Sequence, residues 1–252
     1  MTALERCRWP KLGPRYDRAL RAAVEFILER FEAQGIIAAG SIVAGNPGPS
    51  SDLDLYVIHE KPLRQRIQQW FEGVPAEIFV NPPAMVRQYF AEERYRPCTA
   101  NMLATGFVIL DDAPVVEALR REAADWLAQP FDVPQGELTM RRYLAADAYD
   151  NAQDIAERNP AGAVRILNGA VDDMLRYAFL ARGRRLPREK AFLDELARLD
   201  PELGGLAQSY YLAPDAPARF ALAERIAQCA IGVTGFFAWE STPEAVTVEP
   251  DA

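Results

Sequence analysis

Apolar residues recur at three- and four-residue spacing between positions 14 and 34: Leu20, Val24, Ile27, Leu28 and Phe31, with Arg and Glu between them. That pattern predicts an amphipathic helix ended by Gly35. Ile36-Ile37-Ala38-Ala39 then reads as a short buried strand running into Gly40-Ser41. The stretch Gly45-Asn46-Pro47-Gly48-Pro49-Ser50-Ser51 is built from turn formers and is predicted as loop. Leu53 to Ile58 and Ala76 to Val80 read as strands, with a helix over 63–71 between them. A helix over 83–94, a strand from Phe107 to Leu110 and a helix over 114–128 complete a region in which strands and helices mix.

Pro130 to Gly136 holds two Pro and a Gly and reads as a linker. Beyond it the pattern is helical throughout. Met140, Leu144, Ala148, Asn151 and Ile155 keep one helical face, and Val164, Leu167, Val171, Met174, Leu175 and Ala178 keep another. Further helices are predicted over 188–198, 202–211 and 216–238, and the tail beyond Ser241 is expected to fray. The expected fold class is therefore α+β: a mixed-sheet domain over residues 1–130, then an α-helical bundle over 137–241.

Composition narrows the chemistry. The 252 residues carry a net charge of −8, which argues against a broad nucleic-acid-coating surface. No apolar run approaches the roughly 18 residues a membrane helix needs, and the first sixteen residues show no apolar core of a signal peptide, so a cytoplasmic protein is expected. Cys7, Cys98 and Cys229 are too scattered for a disulfide framework or a thiolate zinc site. A single histidine, His59, directly follows a strand and is read as structural. Catalysis must then rest on carboxylates, Arg, Lys and backbone. Lysine is scarce, with three against 25 arginines, so each position counts.

The run Ser51-Asp52-Leu53-Asp54-Leu55 places chemistry on a strand. Side chains alternate, so Asp52 and Asp54 share a face, with Cα atoms about 6.6 Å apart. Leu53, Leu55 and Val57 fill the other face. Two neighbouring buried carboxylates repel, and Mg²⁺ between them removes that cost. Glu77 interrupts the otherwise apolar strand Ala76 to Val80. If that strand neighbours the first, Glu77 completes a three-carboxylate cluster of the kind used in phosphoryl or nucleotidyl transfer. Taken alone, the Asp-x-Asp run is equally a solvated edge strand.

The full arrangement is a strand, Gly40-Ser41, ten residues, Asp52-x-Asp54 and a later Glu77. It resembles the DNA polymerase β-type nucleotidyltransferase superfamily, and its wording looks most like the streptomycin/spectinomycin adenylyltransferases and the minimal nucleotidyltransferases. The resemblance covers about 25–112 well, including the scaffold stretch 99–112, and the helical half loosely. It implies that Gly40, Ser41 and nearby backbone N–H groups hold the phosphates of a nucleoside triphosphate. It also implies that Asp52 and Asp54 bind Mg²⁺, with Glu77 as a metal ligand or as the base that deprotonates the acceptor.

The helical half carries Gly183-Arg184-Arg185-Leu186-Pro187-Arg188-Glu189-Lys190, a dense cation turn in an acidic chain. A solvated basic turn explains it as well as an anion site does. The aminoglycoside adenylyltransferases have a similar Pro-then-Lys turn whose Lys meets nucleotide phosphates, and the resemblance assigns that part to Lys190, with ATP between the halves. Arg94 and Arg96 are secondary phosphate candidates. Asp172 and Asp173, or Asp147, Asp150 and Asp154, could face a cationic acceptor, though exposed helix charge is the plainer reading. The expected activity is Mg²⁺-dependent transfer of AMP from ATP to a hydroxyl of a small-molecule acceptor, an aminoglycoside being one candidate. A protein-directed, antitoxin-like adenylyltransferase and a non-catalytic nucleotide-binding protein are the alternatives.

Overall fold

The structure, a computed structural model, describes residues 2–243 and 245. A short helix, α1 (Ala3–Arg6), precedes α2 (Pro14–Arg30), which starts on a proline and turns Ala19, Leu20, Ala23, Val24 and Ile27 inward. The helix stops before the predicted end at 34. Phe31 leaves it in an extended conformation, and Phe31 and Ala33 pack against the sheet core. Gly35 does not cap the helix. It begins β1 (Gly35–Ala39), where a Cβ would lie 2.1 Å from a Val116 methyl. A four-residue helix, α3 (Gly40–Val43), and a loop lead to β2 (Leu53–Ile58).

The stretch predicted as a helix over 63–71 is instead the strand β3 (Gln65–Phe71), paired antiparallel with β4 (Val74–Asn81). The inward residues Ile67 and Phe71 are four apart, and that interval fits both a helical stripe and one face of a strand. The hairpin settles it. Glu72 (φ +48°) and Gly73 (φ +71°) both adopt left-handed backbone, the conformation a two-residue turn between twisted strands requires. Next come α4 (Pro83–Glu92), α5 (Cys98–Thr105), β5 (Phe107–Asp111) and α6 (Val115–Ala128). Helix α5 is not anticipated by the sequence pattern; its buried residues, Thr99, Ala100 and Leu103, span little more than one turn.

The five strands form one mixed sheet in the order β3-β4-β2-β1-β5, with β2 and β4 parallel and the other pairs antiparallel. One face packs Leu53, Leu55, Val57, Ile78 and Val80 against α2. The other packs Ile37, Tyr56 and Ile58 against α4, α5 and α6 through Phe90, Leu103 and Leu119. The acid-bearing positions belong to this second face.

The chain divides into two compact units, Met1–Gln129 and Pro130–Ala252. The second is helical: α7 (Gln135–Ile155), α8 (Pro160–Leu180), a 3₁₀ turn (Glu189–Ala191), α9 (Phe192–Leu199), α10 (Pro201–Leu212) and α11 (Ala216–Ile231). Asn159, Asp200 and Asp215 cap α8, α10 and α11, each accepting from the backbone N–H three residues further on. Helix α8 lies at the centre, packed on α7 and α11, with Leu167, Val171, Met174 and Leu175 buried. The predicted helix over 216–238 ends at Ile231, because Gly232 takes a left-handed conformation (φ +69°) and donates to the carbonyls of Ala227 and Gln228. The region predicted as one helix over 188–198 begins as the 3₁₀ turn. The expectation for the tail beyond Ser241 lies largely outside the described residues. Among the described residues, no helix is long and apolar enough to cross a membrane.

Candidate active site

Strand register brings three acids into one place. Asp54 on β2 pairs directly with Glu77 on β4, and Ala39, at the end of β1, pairs with Asp54 from the other side. Asp52 immediately precedes β2 and shares the face of Asp54. One ligand oxygen from each of Asp52, Asp54 and Glu77 lies within 4.8 Å of the other two, and all three residues are half-buried.

β3 contributes the counter-charge. Arg66 Nε donates to Glu77 Oε1 at 2.6 Å, the same guanidinium makes a second contact there through Nη2, and Gln68 Nε2 donates to that oxygen at 3.1 Å. The Arg66 guanidinium also lies over the Phe79 ring, 5.0 Å from its centroid. Sequence reading missed Arg66 and Gln68 because it placed 63–71 on a helix. Once β3 is a strand, Arg66, Gln68 and Trp70 fall on the acid face by alternation alone. Trp70 is 70 % exposed there, beside a small cleft that also involves Asp52 and Glu77.

The Gly40-Ser41 turn sits against these acids. Gly40 has φ +82°, and a Cβ on it would lie 2.1 Å from Asp54 Oδ2. Glycine is required here on both counts, backbone conformation and the close approach of the Asp54 carboxylate. The Ser41 hydroxyl lies 2.7 Å from that of Ser51, which accepts from the Gly48 N–H at 2.8 Å. The loop 45–51 is thereby tied to the turn through Ser51, a buried residue the motif did not single out.

The donor set fits a hard divalent cation. Mg²⁺ takes oxygen ligands at about 2.0–2.1 Å in octahedral geometry, so its ligand oxygens lie about 3–4 Å from one another. Three carboxylate oxygens within 4.8 Å need only small rotamer adjustments to reach that spacing. Without a cation, three acids this close repel, and Arg66 offsets only part of that.

The remaining candidates have ordinary surroundings. His59 is buried, with Nε2 2.9 Å from the Leu63 carbonyl. Arg94 stacks on Tyr95, and Arg96 is half-buried. Asp172 pairs with Arg176 one turn on. Desolvation, followed by the neighbouring Asp172, holds the Asp173 carboxyl above its usual range. Asp147 accepts from Asn151, Asp150 packs against the backbone at Gly235, and Asp154 is exposed. Lys190 lies in the exposed 3₁₀ turn. Next to it, Arg184, Arg185, Arg188 and Arg198 line a groove of about 710 Å³ that also includes Phe179. Burial lowers the Arg185 guanidinium from its ordinary value.

Comparison with known proteins bears on the N-terminal unit. Residues 20–100 match the family model of the nucleotidyltransferase domain. No curated protein matches the chain. Among solved structures, a nucleotidyltransferase-like protein from Exiguobacterium sibiricum 255-15 aligns over 85 % of this chain and 73 % of its own, with 15 % identity and a TM-score of 0.49. The matched span runs from within α2 through β4 and into α5, and so contains Gly40, Ser41, Asp52, Asp54 and Glu77. Residues 20–100 of the N-terminal unit are therefore similar to the nucleotidyltransferase domain family, in the span that carries the acid cluster and the Gly40-Ser41 turn.

Proposed function

We propose that the protein transfers AMP from Mg·ATP to a hydroxyl group of a small-molecule acceptor. The observation that carries this reading is the convergence of Asp52, Asp54 and Glu77, oxygens within 4.8 Å of one another, beside the Gly40-Ser41 turn. A triphosphate brings negative charge to acids that already repel. A site of this composition therefore works only with a divalent cation, which Asp52 and Asp54 would hold with Glu77 beside them. When bound, that cation neutralises charge that builds on the transferring phosphoryl group.

The residues divide the remaining work. Ser41, steadied by Ser51, and the backbone N–H groups of the turn bind the β- and γ-phosphates. Glu77 receives the acceptor's hydroxyl proton as its oxygen forms a bond to the α-phosphorus. The bond from that phosphorus to the bridging oxygen breaks, and pyrophosphate leaves with its electron pair. Lys190, to which the resemblance assigns a contact with phosphate, is tested by its own substitution.

The test is incubation of the full chain with Mg·ATP and a panel of hydroxyl compounds, aminoglycosides included. Pyrophosphate release and a mass gain of one AMP on a single acceptor are expected. A mass gain on co-purifying protein would instead favour a protein-directed enzyme. Tight Mg·ATP binding with no turnover on any acceptor would favour a binding protein.

A further inference from the structure

The sheet gives the transfer reaction a direction. In-line displacement puts the attacking oxygen and the departing pyrophosphate on opposite sides of the phosphorus. Across the sheet, the Gly40-Ser41 turn lies on the β1 side of Asp54, and Glu77 lies on its β4 side. With pyrophosphate held by Ser41, the acceptor must arrive from the β4–β3 side. One strand step further along the same face, Phe79 and Tyr56 stack with ring centroids 5.8 Å apart. They form part of the lining of a pocket of about 440 Å³ that also includes Asn81, Tyr89, Arg64 and Arg66. That volume suits a compound of sugar size.

The electrostatics of this pocket select the acceptor. Arg66 stands at its boundary with the acids, bonded to Glu77. Arg64 is held at the rim by its Nη1, which donates to the Tyr89 hydroxyl at 2.8 Å. The one acidic residue in the lining, Glu93, already accepts from the Thr99 N–H at 2.6 Å and from the Thr99 hydroxyl at 2.9 Å. The Tyr56 hydroxyl group belongs to the same lining, on a buried residue. Its oxygen accepts from Asn81 Nδ2. A polycation approaching Glu77 from this side meets two guanidinium groups and a carboxylate that is already satisfied.

We infer that this pocket takes the acceptor, and that the acceptor is a small hydroxyl compound bearing an anionic group, carboxylate or phosphate, that Arg64 and Arg66 recognise. This inference rests on the nucleotidyl-transfer reading. It makes a polycationic aminoglycoside a poor acceptor. Arg64 contacts the anionic group. Arg66 does so too, and also positions Glu77.

The test is calorimetric titration of the full chain, in magnesium and without nucleotide, with glucuronate, glucose and glucosamine, and with glycerol 3-phosphate and glycerol. Transfer from Mg·ATP to each is followed by pyrophosphate release. Within at least one of the two sets, the anionic member is expected to bind at least tenfold tighter than its neutral partner. Arg64→Gln is expected to erase most of that preference while leaving Mg·ATP binding unchanged, and Arg66→Gln to erase it and also slow transfer. Tightest binding by glucosamine, no anionic preference in either set, or an intact preference in Arg64→Gln and Arg66→Gln overturns the inference. The two levels separate cleanly. Transfer to neutral or cationic acceptors alone overturns the anionic acceptor and keeps the transferase. Arginine-dependent anion binding with no ATP consumed on any acceptor overturns the transfer reading, and with it the pocket's role as acceptor site.

Discussion

In the N-terminal unit three acids from two strands reach one point because strand alternation fixes their face and the β2–β4 register fixes their height. In the helical unit four arginines line a groove from a turn and a following helix, where no lattice of backbone hydrogen bonds sets their spacing. The first arrangement is rigid and specific in geometry, as an octahedral cation demands. The second is a groove of four arginines and one glutamate, Glu195, which pairs with Arg198. On the proposed reading the chemistry lies on the sheet, and the helical unit contributes an arginine-lined groove. Changes in the two regions are then expected to differ in kind as well as in size.

The largest effect is expected on the sheet. Asp54→Ala, and Asp52→Ala with it, should lower metal-dependent transfer by at least about a thousandfold, since each removes a ligand where charge must be neutralised. Both variants should fold, with thermal midpoints at or above that of the parent, because each relieves repulsion between acids. Wild-type turnover in either one removes the metal-site reading.

Glu77→Gln comes next. Gln keeps size and hydrogen-bonding capacity but is no base, so transfer should fall by about 10²–10⁴-fold with Mg·ATP affinity near that of the parent. If affinity collapses too, Glu77 is a ligand first and a base second, and equilibrium Mg·ATP titration reads the difference.

In the helical unit the expected effects are smaller and fall on binding. Lys190→Ala should weaken ATP by about tenfold, equal to about 1.4 kcal/mol, with turnover at saturating ATP nearly unchanged. No change in ATP affinity on losing Lys190, together with weaker ATP binding on Arg188→Gln, would move the attraction from the lysine to the arginine groove. Added salt should erode this contribution more than it erodes the acid cluster's hold on its cation.

The smallest effect concerns stability alone. Gly232→Ala forces a left-handed backbone on a residue with a Cβ and should cost about 1 kcal/mol. Chemical denaturation should show that cost while transfer by the folded protein stays at the parent level. A change in turnover would mean that the end of α11 bears on the site.

The three acids and the Gly40-Ser41 turn could be read from the chain because they obey local rules. Asp52 and Asp54 share a face by alternation, Glu77 stands out against an apolar strand, and Gly40-Ser41 ends a buried strand. The helices of the second unit announce themselves through an Asn or Asp cap followed by proline at α8, α10 and α11. What escaped has equally definite causes. The i,i+4 pair Ile67 and Phe71 satisfies two periodicities, so β3 looked helical and Arg66, Gln68 and Trp70 were lost with it. Helix α5 offers too short an apolar pattern to rise above loop. Ser51 gives no signal, because its importance is a hydrogen bond to Ser41 ten residues away.

The sequence by itself determined which residues are acidic, which strand face they occupy and where most elements begin, since propensity, alternation and capping act within a few residues. Only the tertiary structure decided that β4 lies parallel beside β2 with Glu77 level with Asp54, and that β3 folds back to set Arg66 on Glu77. Strand order and register come from burying both faces of the sheet, Leu53, Leu55 and Val57 under α2 and Tyr56 and Ile58 under α4–α6. That is a cooperative requirement of the whole unit, and no local stretch of the chain encodes it.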